Sequence, residues 1–189
     1  MPDISAPPPD AESLYQAALS YLARYSATRA SLRRTLLRRV DRWARSQTDA
    51  EAAEQATAAA RAAIDAIIER LVRTGIVNDA AFAEARARGL TRAGKSARSI
   101  QVRLIGKGVA PDLAREAATT DPDSELAAAL VLARRRRVGP YRTSPDPDAA
   151  EQARELGVLA RAGFSRDVSE RALAMPQDEA ERRIHDLRR

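Results

Sequence analysis

The residue pattern best suited to chemistry in this 189-residue chain lies in its middle. Residues 89–96 match the phosphate-loop pattern G-x-x-x-x-G-K-S in full. That loop needs a buried strand directly before it, so that backbone N–H groups converge on nucleotide phosphates. Residues 81–88 have the pattern of a charged amphipathic helix instead. We therefore interpret the match as a helix end, a glycine break and a new helix capped near Ser96, and nucleotide hydrolysis is the disfavoured alternative.

Other side chains that do acid–base, nucleophilic or metal chemistry are few. The chain has no cysteine, which excludes disulfides, thiol catalysis and cysteine-based zinc sites. Its single histidine, His185, lies four residues from the C-terminus, where a solvated side chain is expected. Acidic pairs such as Asp49 with Glu51 fit first turns of helices, where they oppose the helix dipole. We predict no catalytic residue, no metal site, no cofactor and no enzymatic activity.

The basic residues are more informative. Lys and Arg total 32 against 26 Asp and Glu, a formal charge of +6, and only Lys95 and Lys107 are lysines. The planar guanidinium suits phosphate, so a basic helical chain is a candidate for binding nucleic acid. Three clusters stand out: Arg29, Arg33, Arg34, Arg38, Arg39, Arg42 and Arg45; Arg86, Arg88, Arg92, Lys95, Arg98, Arg103 and Lys107; and residues 134–137.

Seven of these residues are the predicted contacts to DNA or to a protein filament formed on DNA: Arg34, Arg38, Arg42, Lys95, Arg98, Arg103 and Lys107. Contacts to a phosphate backbone weaken steeply with salt, because binding releases counterions. Aromatic residues make up only 4% of the chain and do not interleave with the cations, so little sequence specificity is expected. The alternative is that the arginines pair with acids at helical spacing, which suits residues 134–137 best and the second predicted helix worst.

Helices must position these side chains. Ala, Leu, Arg and Glu are abundant and favour helix, and no alternating pattern persists, so the predicted class is all-α. The predicted helices cover about residues 11–25, 28–45, 49–73, 79–93, 96–107, 111–118, 124–138, 148–162, 166–174 and 177–187. In the fifth helix, Ile100, Leu104 and Ile105 are expected to face inward. The last helix is highly charged and is expected to fray.

Internal repeats organise these helices. Leu104-x-x-Lys107-Gly108-Val109-x-x-x-Leu113 aligns with Leu159-x-x-Ala162-Gly163-Phe164-x-x-x-Val168, 55 residues later. Ser96, Ile100 and Leu104 also correspond to Thr28, Leu32 and Leu36. In that first copy Val40 occupies the glycine position, so the helix is expected to continue past it. We predict three tandem three-helix repeats, at residues 11–75, 76–120 and 121–176, which gain stability by stacking.

The two ends of the chain are predicted to differ from the repeats. The first ten residues contain four prolines and two acids, without the basic and apolar stretches of a signal peptide. We expect a disordered leader there, and a charged helix or tail at 177–189. No apolar run approaches the length of a membrane span, so a cytoplasmic protein is expected.

Four motifs, in this order, make the chain similar to the RecX family, the bacterial regulators of the RecA recombinase. They are Ala18-Leu19-x-Tyr21-Leu22-x-Arg24, Leu71-x-x-x-Gly75-Ile76-Val77-Asn78-Asp79-x-x-Phe82-Ala83, Ser96-x-x-x-Ile100-x-x-x-Leu104-x-x-Lys107-Gly108-Val109 and Leu159-x-x-Ala162-Gly163-Phe164. The likeness covers about residues 12–175. The chain departs from the family pattern at Val40 and in its long Ala-rich third helix.

The resemblance implies an elongated, curved array of three-helix repeats that binds in the groove of a RecA–DNA filament. It implies modulation, usually inhibition, of the recombinase, ATPase and coprotease activities of RecA, with roles in DNA repair, homologous recombination and the SOS response. It implies no enzymatic activity, and we expect a monomer. A general DNA-binding helical module without RecA is the alternative function.

Overall fold

A computed structural model describes residues 7–143 and 147–189. Over these residues the chain forms α-helices, one short 3₁₀ helix at Gly139–Tyr141 and no strand, which confirms the all-α class. The α-helices are α1 (Ala11–Leu22), α2 (Arg29–Arg45), α3 (Ala50–Arg73), α4 (Asp79–Arg92), α5 (Ala97–Gly106), α6 (Pro111–Ala118), α7 (Pro122–Arg136), α8 (Ala149–Arg161), α9 (Arg166–Ala174) and α10 (Gln177–Asp186). Most of the predicted leader, residues 1–6, lies outside the described residues. No helix in the described ranges is long and apolar enough to cross a membrane.

The chain divides into two compact units, Met1–Phe82 and Ala83–Arg189. In the Met1–Phe82 unit, α1, α2 and α3 pack on one another around a common apolar core. Its largest fully buried side chains are Leu14, Leu32, Leu36, Val40, Ile64 and Leu71. Val40 is fully buried and α2 continues past it to Arg45, as the missing glycine predicts.

Local signals in the sequence account for where these helices begin. The Asp10 and Asp49 carboxylates accept hydrogen bonds from the N–H groups of Ser13 and Ala52, which caps α1 and α3. Thr28 caps α2 and exchanges hydrogen bonds with Ser31 in a capping box. Such caps satisfy N–H groups that have no partner within the helix, so they set the helix starts.

In the Ala83–Arg189 unit, two helix ends have the matching geometry that the aligned glycines predict. Gly108 and Gly163 have φ values of 88° and 93°, and each lies just beyond the end of its helix. In both places the next residue donates its N–H back into the helix, Val109 to the Leu104 carbonyl and Phe164 to the Leu159 carbonyl, at 3.1 and 3.2 Å. This is the glycine-dependent ending that stops a helix and turns the chain into the next one.

The second and third predicted repeats interlock within this unit. The Ser96 hydroxyl donates a hydrogen bond of 2.7 Å to the Ala162 carbonyl. A Cβ atom on Gly163 would lie 2.7 Å from the same Ser96 oxygen, so the approach requires glycine. Glu125 of α7 accepts the Ala97 N–H at the start of α5 with both carboxylate oxygens, at 3.1 and 3.2 Å. These contacts hold α5 between α7 and the end of α8.

Two local expectations were wrong. Helix α10 does not fray, because its Ala180 and Ile184 side chains are buried in a core shared with α7. Arg183 of α10 also donates hydrogen bonds to Asp123 at 2.8 Å and to Glu179 at 3.1 Å. In α5, Ile105 is 41% exposed, since the helix buries only the narrower stripe that contains Ile100 and Leu104.

Candidate phosphate-binding surface

The segment that matches the phosphate-loop pattern is not folded as a phosphate loop. Gly89 lies inside α4, and Gly94 ends that helix region with a φ of 75°. Ser96 is fully buried and caps α5, where its hydroxyl oxygen accepts the Ser99 N–H at 3.2 Å. Because the same hydroxyl also donates to the Ala162 carbonyl, it is engaged within the fold rather than directed at a ligand. The interpretation as a helix end, a glycine break and a capped helix is confirmed.

Lys95, between that glycine and that serine, lies among other cations. Partial burial lowers the pKa of the Lys95 amine, and the positive charges of Arg103, Arg135 and Arg136 lower it further. Coulomb interactions weaken with distance, so the amine lies within the electrostatic reach of these three guanidinium groups. We call Lys95, Arg103, Arg135 and Arg136 the cation cluster.

No carboxylate among the described residues forms an ion pair with any member of the cation cluster. The Arg103 Nε donates only a long hydrogen bond of 3.4 Å to the Ser99 hydroxyl. Like charges held near one another repel, which raises the free energy of the cluster in the absence of an anion. The arrangement is therefore suited to receive a ligand with several negative charges.

Close packing between the connection from α4 to α5 and α7 brings the cluster together. A Cβ atom on Gly94 would lie 2.9 Å from Val131 Cγ1 and 3.1 Å from the Ala128 carbonyl oxygen. Only glycine allows this approach, and Lys95 follows it directly. On the other side, Arg135 and Arg136 occupy the last turn of α7, where the helix dipole favours basic side chains.

The residues predicted from the sequence include half of this cluster. Arg135 and Arg136 were not among the seven predicted contacts. Their neighbour Arg134 pairs with Glu181 of α10 at 3.0 Å, across two helices rather than at helical spacing. One signal was available, since consecutive residues on a helix point about 100° apart. A run of four arginines cannot therefore place all its side chains beside the same acids.

Arg98 and Lys107 are the other predicted contacts in this unit. Both are exposed, Arg98 in the first turn of α5 and Lys107 at its C-terminal cap. The Arg98 side chain also lies near Gly163, where an added Cβ would be 3.5 Å from Arg98 Cβ. Arg98 and Lys107 thus lie toward opposite ends of α5 from Arg103.

The three predicted contacts of the Met1–Phe82 unit, Arg34, Arg38 and Arg42, are exposed on α2. Arg38 donates a hydrogen bond of 3.0 Å to the Thr35 hydroxyl. Arg42 and Trp43 line an open groove of about 690 Å³ together with residues 7–9. That these three residues contact DNA stays a prediction.

Pairing with acids is more extensive on α2 than we expected. Arg29 pairs with Glu69, Arg33 pairs with Asp65 at 2.7 Å, and Asp41 pairs with Arg61 at 3.7 Å. Every one of these pairs joins α2 to α3, so none could be found from spacing along a single helix. None of these pairs has helical spacing, so the expectation that pairing at helical spacing suits α2 least is not contradicted. The expectation that it suits residues 134–137 best was wrong, because Arg134 pairs with Glu181 of another helix.

The described residues contain no group of three or more His, Cys, Asp or Glu side chains arranged to hold a metal ion. His185 is exposed on α10. The most buried carboxylate in an ion pair, Glu155, accepts the Gly139 N–H at 3.0 Å and pairs with Arg142 at 2.7 Å. These contacts hold the 3₁₀ turn at Gly139–Tyr141 and account for that carboxylate structurally.

Comparisons with known proteins agree with the motifs. A family model described as "RecX, second three-helix domain" matches residues 78–117. A regulatory protein RecX from Myxococcus xanthus is 40% identical over 162 residues, which are 85% of this chain and 83% of the relative. A regulatory protein RecX from Corynebacterium efficiens is 30% identical over 164 residues, 85% of this chain and 77% of the relative.

The fold is also similar to a solved structure. The crystal structure of RecX from Lactobacillus salivarius matches with a TM-score of 0.66 and 23% identity, over 90% of this chain and 96% of that one. At that identity the similarity concerns the fold, and it agrees with an arrangement of three-helix repeats.

Proposed function

The chain belongs to the RecX family of regulatory proteins, and from that premise we propose that it binds the RecA–DNA filament and inhibits RecA. The inhibited activities are strand exchange, ATP hydrolysis and coprotease function, in DNA repair, homologous recombination and the SOS response. The observation that carries the proposal is the 40% identity, over 85% of this chain, to a protein named regulatory protein RecX.

The proposed mechanism is docking rather than catalysis, by a monomer in the cytoplasm. A protein that binds one filament state more tightly than another shifts the filament toward that state. The phosphate-directed part of the contact is assigned to Arg34, Arg38, Arg42, Lys95, Arg98, Arg103 and Lys107. Because guanidinium and ammonium groups displace counterions from the backbone, we expect filament binding to weaken steeply with salt.

The direct test is RecA-driven strand exchange and ATP hydrolysis on single-stranded DNA, measured with this protein from zero to stoichiometric amounts. We expect inhibition that increases with the amount added and decreases with salt. Unchanged strand exchange and ATP hydrolysis at a stoichiometric amount would rule the proposal out.

A general DNA-binding module is the second candidate, and the cation cluster without a carboxylate favours it. The two functions differ in their preferred target. A RecA regulator binds RecA–DNA filaments more tightly than naked strands of the same length, whereas a general module shows the reverse order. Co-sedimentation of the protein with filaments and with naked DNA, across one salt series, separates them.

A further inference from the structure

We propose that the cation cluster is a phosphate-binding site for a nucleic-acid strand, and that Arg135 and Arg136 of α7 each contribute a phosphate contact to it. This deepens the proposed function, on which it rests for the source of the strand. It adds two contacts from the third repeat to a surface that the sequence placed in the second.

The first argument is the gathering of charge. Lys95, Arg103, Arg135 and Arg136 come from three separate segments, the α4–α5 connection, α5 and the end of α7. Two acids on α7 and α10 are engaged elsewhere: Glu125 accepts the Ala97 N–H at the start of α5, and Glu181 pairs with Arg134. Three guanidinium charges therefore act on the Lys95 amine, and no carboxylate among the described residues forms an ion pair with any of the four cations.

The second argument is that the site is built, because backbone packing brings these segments together. Gly94 lies so close to α7 that a Cβ atom there would contact Val131 at 2.9 Å and the Leu132 nitrogen at 3.1 Å. The last turn of α7 ends with Arg137 in the left-handed conformation, at a φ of 56°. The α7 arginines are thus fixed next to the connection that carries Lys95.

The third argument concerns the chemistry of the ligand. Each strand of a nucleic-acid duplex carries one negative charge for about every 3.4 Å of helix axis, so its phosphates form a continuous line of charge. Three guanidinium forks and one ammonium suit such a line, because arginine binds phosphate in a bidentate manner. Every residue of a strand carries a charge, whereas an acidic protein surface carries charge only at its Asp and Glu positions, so we favour the strand.

The test is fluorescence anisotropy of a labelled single-stranded DNA with the full-length protein across a salt series. The variant is Arg135→Gln/Arg136→Gln. The matched control is Arg154→Gln/Arg182→Gln, which removes the same charge at two exposed arginines that do not act on Lys95. We expect the slope of log affinity against log salt to shrink by about 1.4 in the variant, at about 0.7 for each lost phosphate contact. The control should keep the slope of the unmodified protein.

A second variant protects the test against misfolding. Arg135→Lys/Arg136→Lys keeps both charges, so it should keep the salt slope while losing several-fold in affinity through the missing bidentate contacts. Thermal unfolding by circular dichroism checks that each variant is folded. An unchanged slope in the folded glutamine variant, or a slope that falls equally in the control, would overturn the proposal.

Two further outcomes separate this inference from the proposed function. If the glutamine variant binds naked strands like the unmodified protein but no longer binds RecA filaments, the cluster contacts an acidic protein surface and the inference is wrong. If the unmodified protein inhibits strand exchange but the glutamine variant does so equally and binds DNA equally, the regulatory function stands and the inference is again wrong.

Discussion

Arginines on α2 and cations around α5 start from similar sequence and reach different electrostatic environments. On α2, Arg29 and Arg33 pair with Glu69 and Asp65 of the adjacent α3. Around α5, Lys95 meets three guanidinium groups and no described carboxylate. The difference lies in the neighbouring helix, because α3 presents acids toward α2 whereas the end of α7 presents arginines toward Lys95.

This contrast shows how a charge run should be interpreted. A run of arginines indicates a partner of opposite charge without saying whether it lies inside the protein or outside. Exposed internal pairs contribute little to stability and leave little charge for a ligand. Cations without an internal acid remain available to bind a ligand. Which cations these are depends on the side chains of the helix that packs beside them.

The largest loss of stability is expected from Gly94→Ala, which disrupts the packing of the α4–α5 connection against α7. A left-handed alanine costs about 1–2 kcal/mol, and the contacts with Val131 and the α7 backbone add about 1–3 kcal/mol of overpacking. Gly75→Ala is the matched control, because Gly75 has a φ of 74° but open space around its Cβ position. Urea unfolding should show a loss two- to threefold larger for Gly94→Ala, with weaker DNA binding as well. Equal losses would show that the approach of α4 to α7 is not tight.

A smaller loss of stability is expected at Glu125, whose carboxylate accepts the Ala97 N–H at the start of α5 instead of pairing with the cation cluster. Glu125→Ala leaves the Ala97 N–H without its acceptor and should cost about 1–2 kcal/mol. Glu125→Gln keeps an oxygen acceptor and should cost less, as measured by urea unfolding at neutral pH.

The pH dependence at Glu125 has a definite sign. Burial raises the pKa of its carboxyl group above the ordinary 4.5. The folded state therefore holds this proton more tightly than the unfolded state, so the contribution to stability is full below pH 4.5 and is lost as pH rises through the folded pKa. The unmodified protein should gain stability relative to Glu125→Gln on acidification through that window, and an opposite trend would contradict the burial argument.

The rate at which the Lys95 amine is acylated tests whether the α7 arginines act on it. Its lowered pKa leaves more of the amine unprotonated at mildly alkaline pH, so acylation should be faster than for an ordinary solvated lysine. The Arg135→Gln/Arg136→Gln variant removes two of the causes and should slow this labelling modestly, because burial remains the first cause. Mass spectrometry resolves the Lys95 peptide, with a free lysine peptide as the reference. Unchanged labelling in the variant would place the two arginines away from the amine.

The smallest effect is expected from Asp65→Asn, which makes α2 resemble the cation cluster. Losing this partner frees Arg33, so binding to single-stranded DNA should strengthen by less than tenfold and become slightly more sensitive to salt, as measured by anisotropy.

The Arg33 hydrogen bond lowers the pKa of Asp65 below its ordinary 3.8. The ionised Asp65 carboxylate therefore adds a small amount to the free energy of unfolding above pH 3.8, and this contribution is lost as pH falls through the folded-state pKa of Asp65. The Asp65→Asn variant should not show that loss. Unchanged DNA binding would show that Arg33 stays unavailable without its acid.

Much of the fold was predictable because its signals are local. Ser96 caps α5 as predicted, Asp10, Thr28 and Asp49 cap α1, α2 and α3 near their predicted starts, and Gly108 and Gly163 end α5 and α8 with the same geometry. Caps and left-handed glycines act within a few residues, so the sequence alone contains their whole cause. The stability of α10 was not predictable in this way, because it depends on Ala180 and Ile184 reaching the core beside α7.

The candidate phosphate-binding surface was likewise only partly predictable from the sequence. The sequence by itself determined an all-α chain with repeated helix ends, a family resemblance and an excess of arginine. Only the tertiary structure decided that Arg33 and Arg134 are paired while Arg135 and Arg136 join Lys95. Side-chain periodicity along one helix is a local property, whereas the charge that a side chain meets is set by whichever helix packs against it.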